Sequence, residues 1–130
     1  MPVAIDTSVL IHAEKSGEWE NLRPDGNAIY YIPAHAAAEF LVGTYLPKSE
    51  LLRERARRVY EGKFKLLVDL FDEADAAQLA LLMVELRKTG QSMGFFDAAI
   101  AATVMARGDS LLALDGDFDR LKYRLQLIKP

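Results

Sequence analysis

Short apolar runs alternate with longer stretches of helical apolar spacing along the whole chain, and this alternation constrains the fold more than any other feature. Val3-Ala4-Ile5 reads as a short buried strand and residues 7–15 as a helix. A polar loop over 17–27, holding Pro24 and Gly26, precedes a second strand at 28–32 that Pro33 closes. Helices are predicted over 34–45 and 49–61, the first broken before Pro47 and the second stopping at Gly62. Residues 64–70 are apolar enough for an interior strand. From Glu73 to Arg87, the positions Ala76, Leu79, Ala80, Met83, Val84 and Leu86 show helical spacing. A helix over 95–106 follows, then strands at 111–114 and 125–128 around a short turn or helix at 118–121. Such an order predicts an α/β domain: a parallel sheet of about five strands with helices on both faces. At 130 residues the chain is long enough for one domain with a core of its own.

Four acidic residues stand inside apolar surroundings. Asp6 follows Val3-Ala4-Ile5 and precedes Thr7-Ser8-Val9-Leu10-Ile11, and Glu39 lies within Ala36-Ala37-Ala38-Glu39-Phe40-Leu41-Val42-Gly43. Asp97 opens Asp97-Ala98-Ala99-Ile100-Ala101-Ala102, and Asp115 ends Leu111-Leu112-Ala113-Leu114. Carboxylates are rarely buried unless something offsets their desolvation, and a divalent cation is the usual means. Asp6 and Asp115 both follow predicted strands, the edge where open α/β sheets bind ligands. Asp97 falls in the first turn of a helix, where the dipole favours negative charge. Magnesium and manganese prefer hard oxygen ligands and leave positions open for phosphate oxygens. The chain therefore reads as a metal-dependent phosphoryl-transfer or hydrolysis enzyme.

Composition excludes several alternatives. The chain has no cysteine, which removes disulfides, thiolate metal sites and a cysteine nucleophile. No apolar run approaches the roughly 18 residues that span a bilayer, and no basic region followed by an apolar stretch opens the sequence, so a cytoplasmic protein is expected. The net charge of −3 does not by itself nominate a nucleic-acid binder. Residues 48–65 nevertheless hold seven basic residues against Glu50, Glu54 and Glu61. A basic helix beside an acidic site would steer a polyanion toward bound cations; Arg53, Arg57, Arg58 and Lys63 are the candidates. A solvated helix face is the simpler reading of the same charges.

The acidic motifs resemble those of the PIN-domain family, over essentially the whole chain and in the same order. Asp6-Thr7-Ser8-Val9-Leu10-Ile11 is similar to the family's opening strand end, Glu39-Phe40-Leu41-Val42-Gly43 to its Glu-x-x-x-Gly helix, and Asp97-Ala98-Ala99-Ile100-Ala101-Ala102 to its Asp-x-x-Ile-Ala-Ala segment. Leu112-Ala113-Leu114-Asp115-Gly116-Asp117-Phe118 resembles the Thr-x-Asp-x-Asp-Phe element, with Ala113 in place of the usual Thr. At this length the nearest subfamily is the VapC-like toxins of toxin–antitoxin pairs.

The resemblance implies a single PIN-like domain over 1–130 and a Mg²⁺-dependent endoribonuclease, with Mn²⁺ as the other candidate ion, acting on structured RNA of the tRNA or ribosomal class. Asp6 and Asp97 would be the principal ligands, Asp115 would complete the cluster, and Glu39 would bind directly or through water. Ser8 would orient a carboxylate or the attacking water. Either Asp115 or Asp117 could be the fourth acid, and strand-end position favours Asp115. The resemblance also implies a homodimer and a small antitoxin laid across the active site; Leu46, Leu51, Leu52, Val59 and Tyr60 could line its groove.

Other residues have plainer readings. His12 and His35 read as surface or capping residues, Trp19, Tyr30 and Tyr31 as core before base-stacking, and Asp69, Asp72 and Asp75 as helix-start and solvent residues. Two further function classes are weighed. A non-catalytic PIN-type binding module would be expected to lack one of the acids. A phosphotransfer receiver domain would want a paired acid beside Asp6, where Thr7 and Ser8 stand.

Overall fold

A computed structural model describes residues 2–130. The strands are β1 (Val3–Ile5), β2 (Tyr30–Pro33), β3 (Val68–Asp69), β4 (Ser110–Leu112) and β5 (Gln126–Ile128). The helices are α1 (Thr7–Ser16), α2 (Ala34–Tyr45), α3 (Glu50–Val59), α4 (Glu73–Lys88) and α5 (Phe95–Arg107). All strand pairings are parallel, in the order β3-β2-β1-β4-β5. The chain first winds outward from β1 through β2 to β3, then returns to place β4 on the other side of β1. The winding thus reverses between β1 and β4, and the two strands paired there end just before Asp6 and the Asp115 turn.

Every residue of β1 and β4 is buried, as central parallel strands require. Helix α5 is buried continuously from Ala98 to Val104, which explains its run of alanines: small side chains let it lie close between neighbours. Asp6 caps α1, and Gly17 and Gly108 end α1 and α5 in the left-handed conformation that glycine adopts without strain. Asp72 and Asp75 form a reciprocal capping box at the start of α4.

Two local expectations are corrected. Residues 64–70 do not form an interior strand. Gly62 lies inside a widened π turn over Tyr60–Phe64, a 3₁₀ turn follows over Lys65–Leu67, and only Val68–Asp69 pair with the sheet, at its edge. Phe64 is fully buried at the end of that turn, with its ring 5.2 Å from those of Trp19 and Phe40, while Leu66 faces solvent. In α4, Leu82 and Leu86 are buried but Ala76, Ala80 and Val84 are exposed. This helix packs on α5 rather than across the sheet, so a narrow stripe suffices.

Other side chains settle into packing roles. Trp19 and Tyr31 are buried, and the Tyr31 hydroxyl donates to Asp109 at 2.7 Å. His35 lies edge-on against Phe71 and Phe95 instead of capping its helix. Asp75 is buried, not solvated, and Arg107 bridges it to Asp69, donating at 3.3 and 2.8 Å.

Candidate active site

Asp6 leaves β1 at the switch point. Its backbone N–H donates to the Leu112 carbonyl across the sheet at 2.9 Å, which fixes the residue relative to β4. Its carboxylate Oδ2 accepts from the Ser8 backbone N–H at 3.2 Å and from the Ser8 hydroxyl at 2.6 Å. The Ser8 hydroxyl in turn accepts the Leu114 N–H at 3.1 Å, tying the start of α1 to the loop after β4. The other carboxylate oxygen, Oδ1, is buried and has no hydrogen-bond partner. An unpaired oxygen on a buried carboxylate is costly unless a cation or donor meets it.

Asp97 sits in the first turn of α5, after the Gly94 cap, where no side chain caps the free N–H groups. Glu39 projects from the middle of α2 and is half-buried. Asp115 and Asp117 occupy the turn after β4; the Asp117 N–H donates to Asp115 Oδ1 at 3.3 Å. Strand β4 ends at Leu112, so Asp115 stands three residues beyond it rather than immediately after. These five acids line one cleft of about 470 Å³, together with Ser8. Asp115 and Asp117 both reach it.

The acids sense one another. Burial pushes the Asp6 carboxyl up to about 6, against the Ser8 hydrogen bonds, with repulsion from Asp115 adding to the rise. Burial also raises Asp97 to about 6, followed by repulsion from Asp6, Asp117, Glu39 and Asp115. Among the described residues no three acids or histidines stand close enough to form a ready-made ion cage. The donor set consists of hard oxygens alone, and one is an orphaned buried oxygen of Asp6. Those two features fit a Mg²⁺ or Mn²⁺ ion.

The cleft thus gathers Asp6, Ser8, Glu39, Asp97 and Asp115. It does not include Arg53, Arg57, Arg58 or Lys63 in its wall. Arg53 is instead held by the Pro47 and Lys48 carbonyls. The nitrogen-bearing side chains that do line the cleft are His12 and Lys15 on α1. Their signal in the sequence is spacing from Ser8, at i+4 and i+7 on one helix face.

A second groove of about 290 Å³ lies between α1, α2 and α3. Phe40, Gly43, Leu52 and Ala56 contribute its apolar surface, and Ile11 and Lys15 line both cavities. Leu46 and Leu51 are exposed near it, whereas Val59 and Tyr60 pack on the core.

The fold is shared with solved toxin–antitoxin proteins. A chain of VapBC2 from Rickettsia felis, bound to a promoter DNA fragment, superposes with a TM-score of 0.82 at 18% identity, covering 100% of this chain and 99% of that one. DNA-bound VapBC from Salmonella typhimurium gives 0.79 at 22% identity, over 99% and 98% of the two chains. VapBC-5 from Mycobacterium tuberculosis gives 0.77 at 23% identity, over 99% and 98%. No curated protein matches the sequence significantly. The model of the PIN domain matches residues 3–123, nearly the full length, and the chain belongs to the PIN domain family.

Proposed function

We propose that this protein is a divalent-cation-dependent endoribonuclease and the toxin of a toxin–antitoxin pair. The observation that carries the reading is Asp6: a buried carboxylate with one oxygen fixed by Ser8 and the other unpartnered, in a cleft with four more acids. Asp6 and Asp97 would hold Mg²⁺ or Mn²⁺, with Asp115 and Glu39 completing the set. When bound, such an ion neutralises charge on phosphate oxygens and makes a bound water more acidic.

The chain's own groups do the rest. Ser8 holds the Asp6 carboxylate in one orientation and links it to the Leu114 backbone. The cluster of acids repels a polyanion until a cation is present, so substrate entry and metal loading are coupled. Hydrolysis adds water across the P–O3′ bond in line, leaving a 5′-phosphate and a 3′-hydroxyl. Structured RNA of the tRNA or ribosomal class is the proposed substrate. Arg57, Arg58 and Lys63 are exposed and without ion pairs among the described residues, so they remain free to contact its backbone.

The partner reading rests on the second groove, which shares the Ile11–Lys15 wall with the cleft. An antitoxin segment seated there would run directly into the acidic site, and the fold's likeness to chains of VapBC complexes supports such a partner. A homodimer in the cytoplasm completes the proposal; no helix among the described residues is long and apolar enough to cross a membrane. The test is purified protein on labelled tRNA and ribosomal RNA with Mg²⁺, with Mn²⁺, with EDTA, and as Asp97→Asn. Cleavage that needs the ion and Asp97 is expected. No cleavage of either RNA by folded, metal-loaded protein overturns the reading in favour of a binding module.

A further inference from the structure

From the wall of the cleft we infer that Lys15, with His12 beside it, binds a backbone phosphate next to the scissile one, so that α1 lays the RNA strand into the site. The inference rests on the nuclease reading above and adds a positioning surface to it. Asp6 and Ser8 begin α1, and His12 and Lys15 follow Ser8 at i+4 and i+7. That spacing sets all three on one helix face, and Ser8, His12 and Lys15 all line the acidic cleft. Seven residues span about 10 Å of helix, so Lys15 stands within reach of the next phosphate or the one after, while Ser8 marks the reacting centre.

Charge gives the face its purpose. Five carboxylates line the cleft, and even with a cation bound they oppose an incoming polyanion. Lys15 is the one lysine or arginine in that wall among the described residues, and it has no ion pair among them. The neighbouring Glu14 is taken by Arg55 at 3.0 Å. A lysine in the last turn of a helix also complements the dipole, but that role needs no place in the wall of an acidic cleft. The basic helix α3 has no residue in this cleft, so it cannot substitute for Lys15 there.

The test measures binding and cleavage together. A fluorescent RNA stem–loop with a single-stranded loop is titrated with wild type, Lys15→Gln, Lys15→Arg and Lys88→Gln, with Ca²⁺ replacing Mg²⁺, at salt from 50 to 200 mM. Lys88 ends α4, outside the wall of the cleft, and serves as the control. Loss of one phosphate contact on a single strand lowers the slope of log K against log salt by about 0.7. The Lys15→Gln defect is then about threefold larger at the low end of that range than at the high end. Lys15→Arg should restore affinity, and Lys88→Gln should leave it unchanged. In Mg²⁺, Lys15→Gln should raise KM with kcat near wild type. Wild type that binds and cuts RNA while Lys15→Gln matches it in affinity and slope overturns this inference alone, including the case where Lys15 serves a protein partner instead. Wild type that neither binds nor cuts RNA overturns the nuclease reading and this one with it.

Discussion

Replacing Asp6 with Asn should stabilise the metal-free protein at neutral pH and fail to do so in acid. The carboxyl is only 3% exposed and its pKa stands at about 6, against 3.8 in a model peptide. That difference corresponds to about 3 kcal/mol of destabilisation by the ionised form. The sign follows from proton uptake. Below about pH 3 Asp6 is protonated in both folded and unfolded chains, and the substitution is electrostatically neutral. Between pH 4 and 6 the unfolded chain ionises while the folded one keeps its proton, so wild type loses stability as pH rises. Above 6 the penalty is constant. Asn keeps an oxygen for the Ser8 N–H and hydroxyl, so the cap survives. Urea midpoints of both proteins in EDTA at pH 3 and pH 8 measure the difference: near zero at the first, up to about 3 kcal/mol in favour of Asn at the second. A Mg²⁺ concentration 100-fold above Kd adds about 2.7 kcal/mol to wild type alone, which should close most of the gap. A loss of stability for Asp6→Asn at pH 8 in EDTA, or a shift independent of pH, would refute the reasoning.

Three further outcomes follow from the same geometry. Because Asp6 and Asp97 must both be ionised to hold a cation, ion affinity by calorimetry should rise steeply with pH through about 6 and level off above 7; equal affinities at pH 5 and 7 would count against those two ligands. Arg107→Ala leaves the buried Asp75, whose Oδ1 already lacks a partner, with the Asp72 N–H but no counter-charge, and should lower stability by about 3 kcal/mol in urea unfolding. Asp115→Asn and Asp117→Asn, compared by ion affinity, should separate two acids that both reach the cleft, with the larger loss expected for Asp115, whose charge acts on Asp6.

The legible parts of this molecule are those where one physical demand dominates. Buried β1, β4 and α5 announce themselves as largely apolar runs, and the acids beside them are conspicuous against those runs. Asp6 and Asp97 are therefore legible as acids beside buried elements, and Glu39 as an acid inside the apolar run of α2; all three line the cleft. The segment 60–69 was not, because an apolar run with a glycine inside fits a strand or a widened helical turn equally. Tertiary packing of Phe64 on Trp19 and Phe40 goes with the second. Asp75 looked like a solvent residue because its partner, Arg107, lies 32 positions away. Lys15 is not legible for the opposite reason: the density of charge points to α3, whereas which helix face meets the cleft depends on where β1 ends.

The central claim is that the acidic cleft cuts RNA. Sequencing of 5′-phosphorylated RNA ends after induction in a bacterial host, for wild type beside Asp97→Asn, tests it most directly. New discrete ends with wild type and none with the variant are expected, and the ends would name the substrate. Identical end profiles from two folded, equally abundant proteins would contradict the claim.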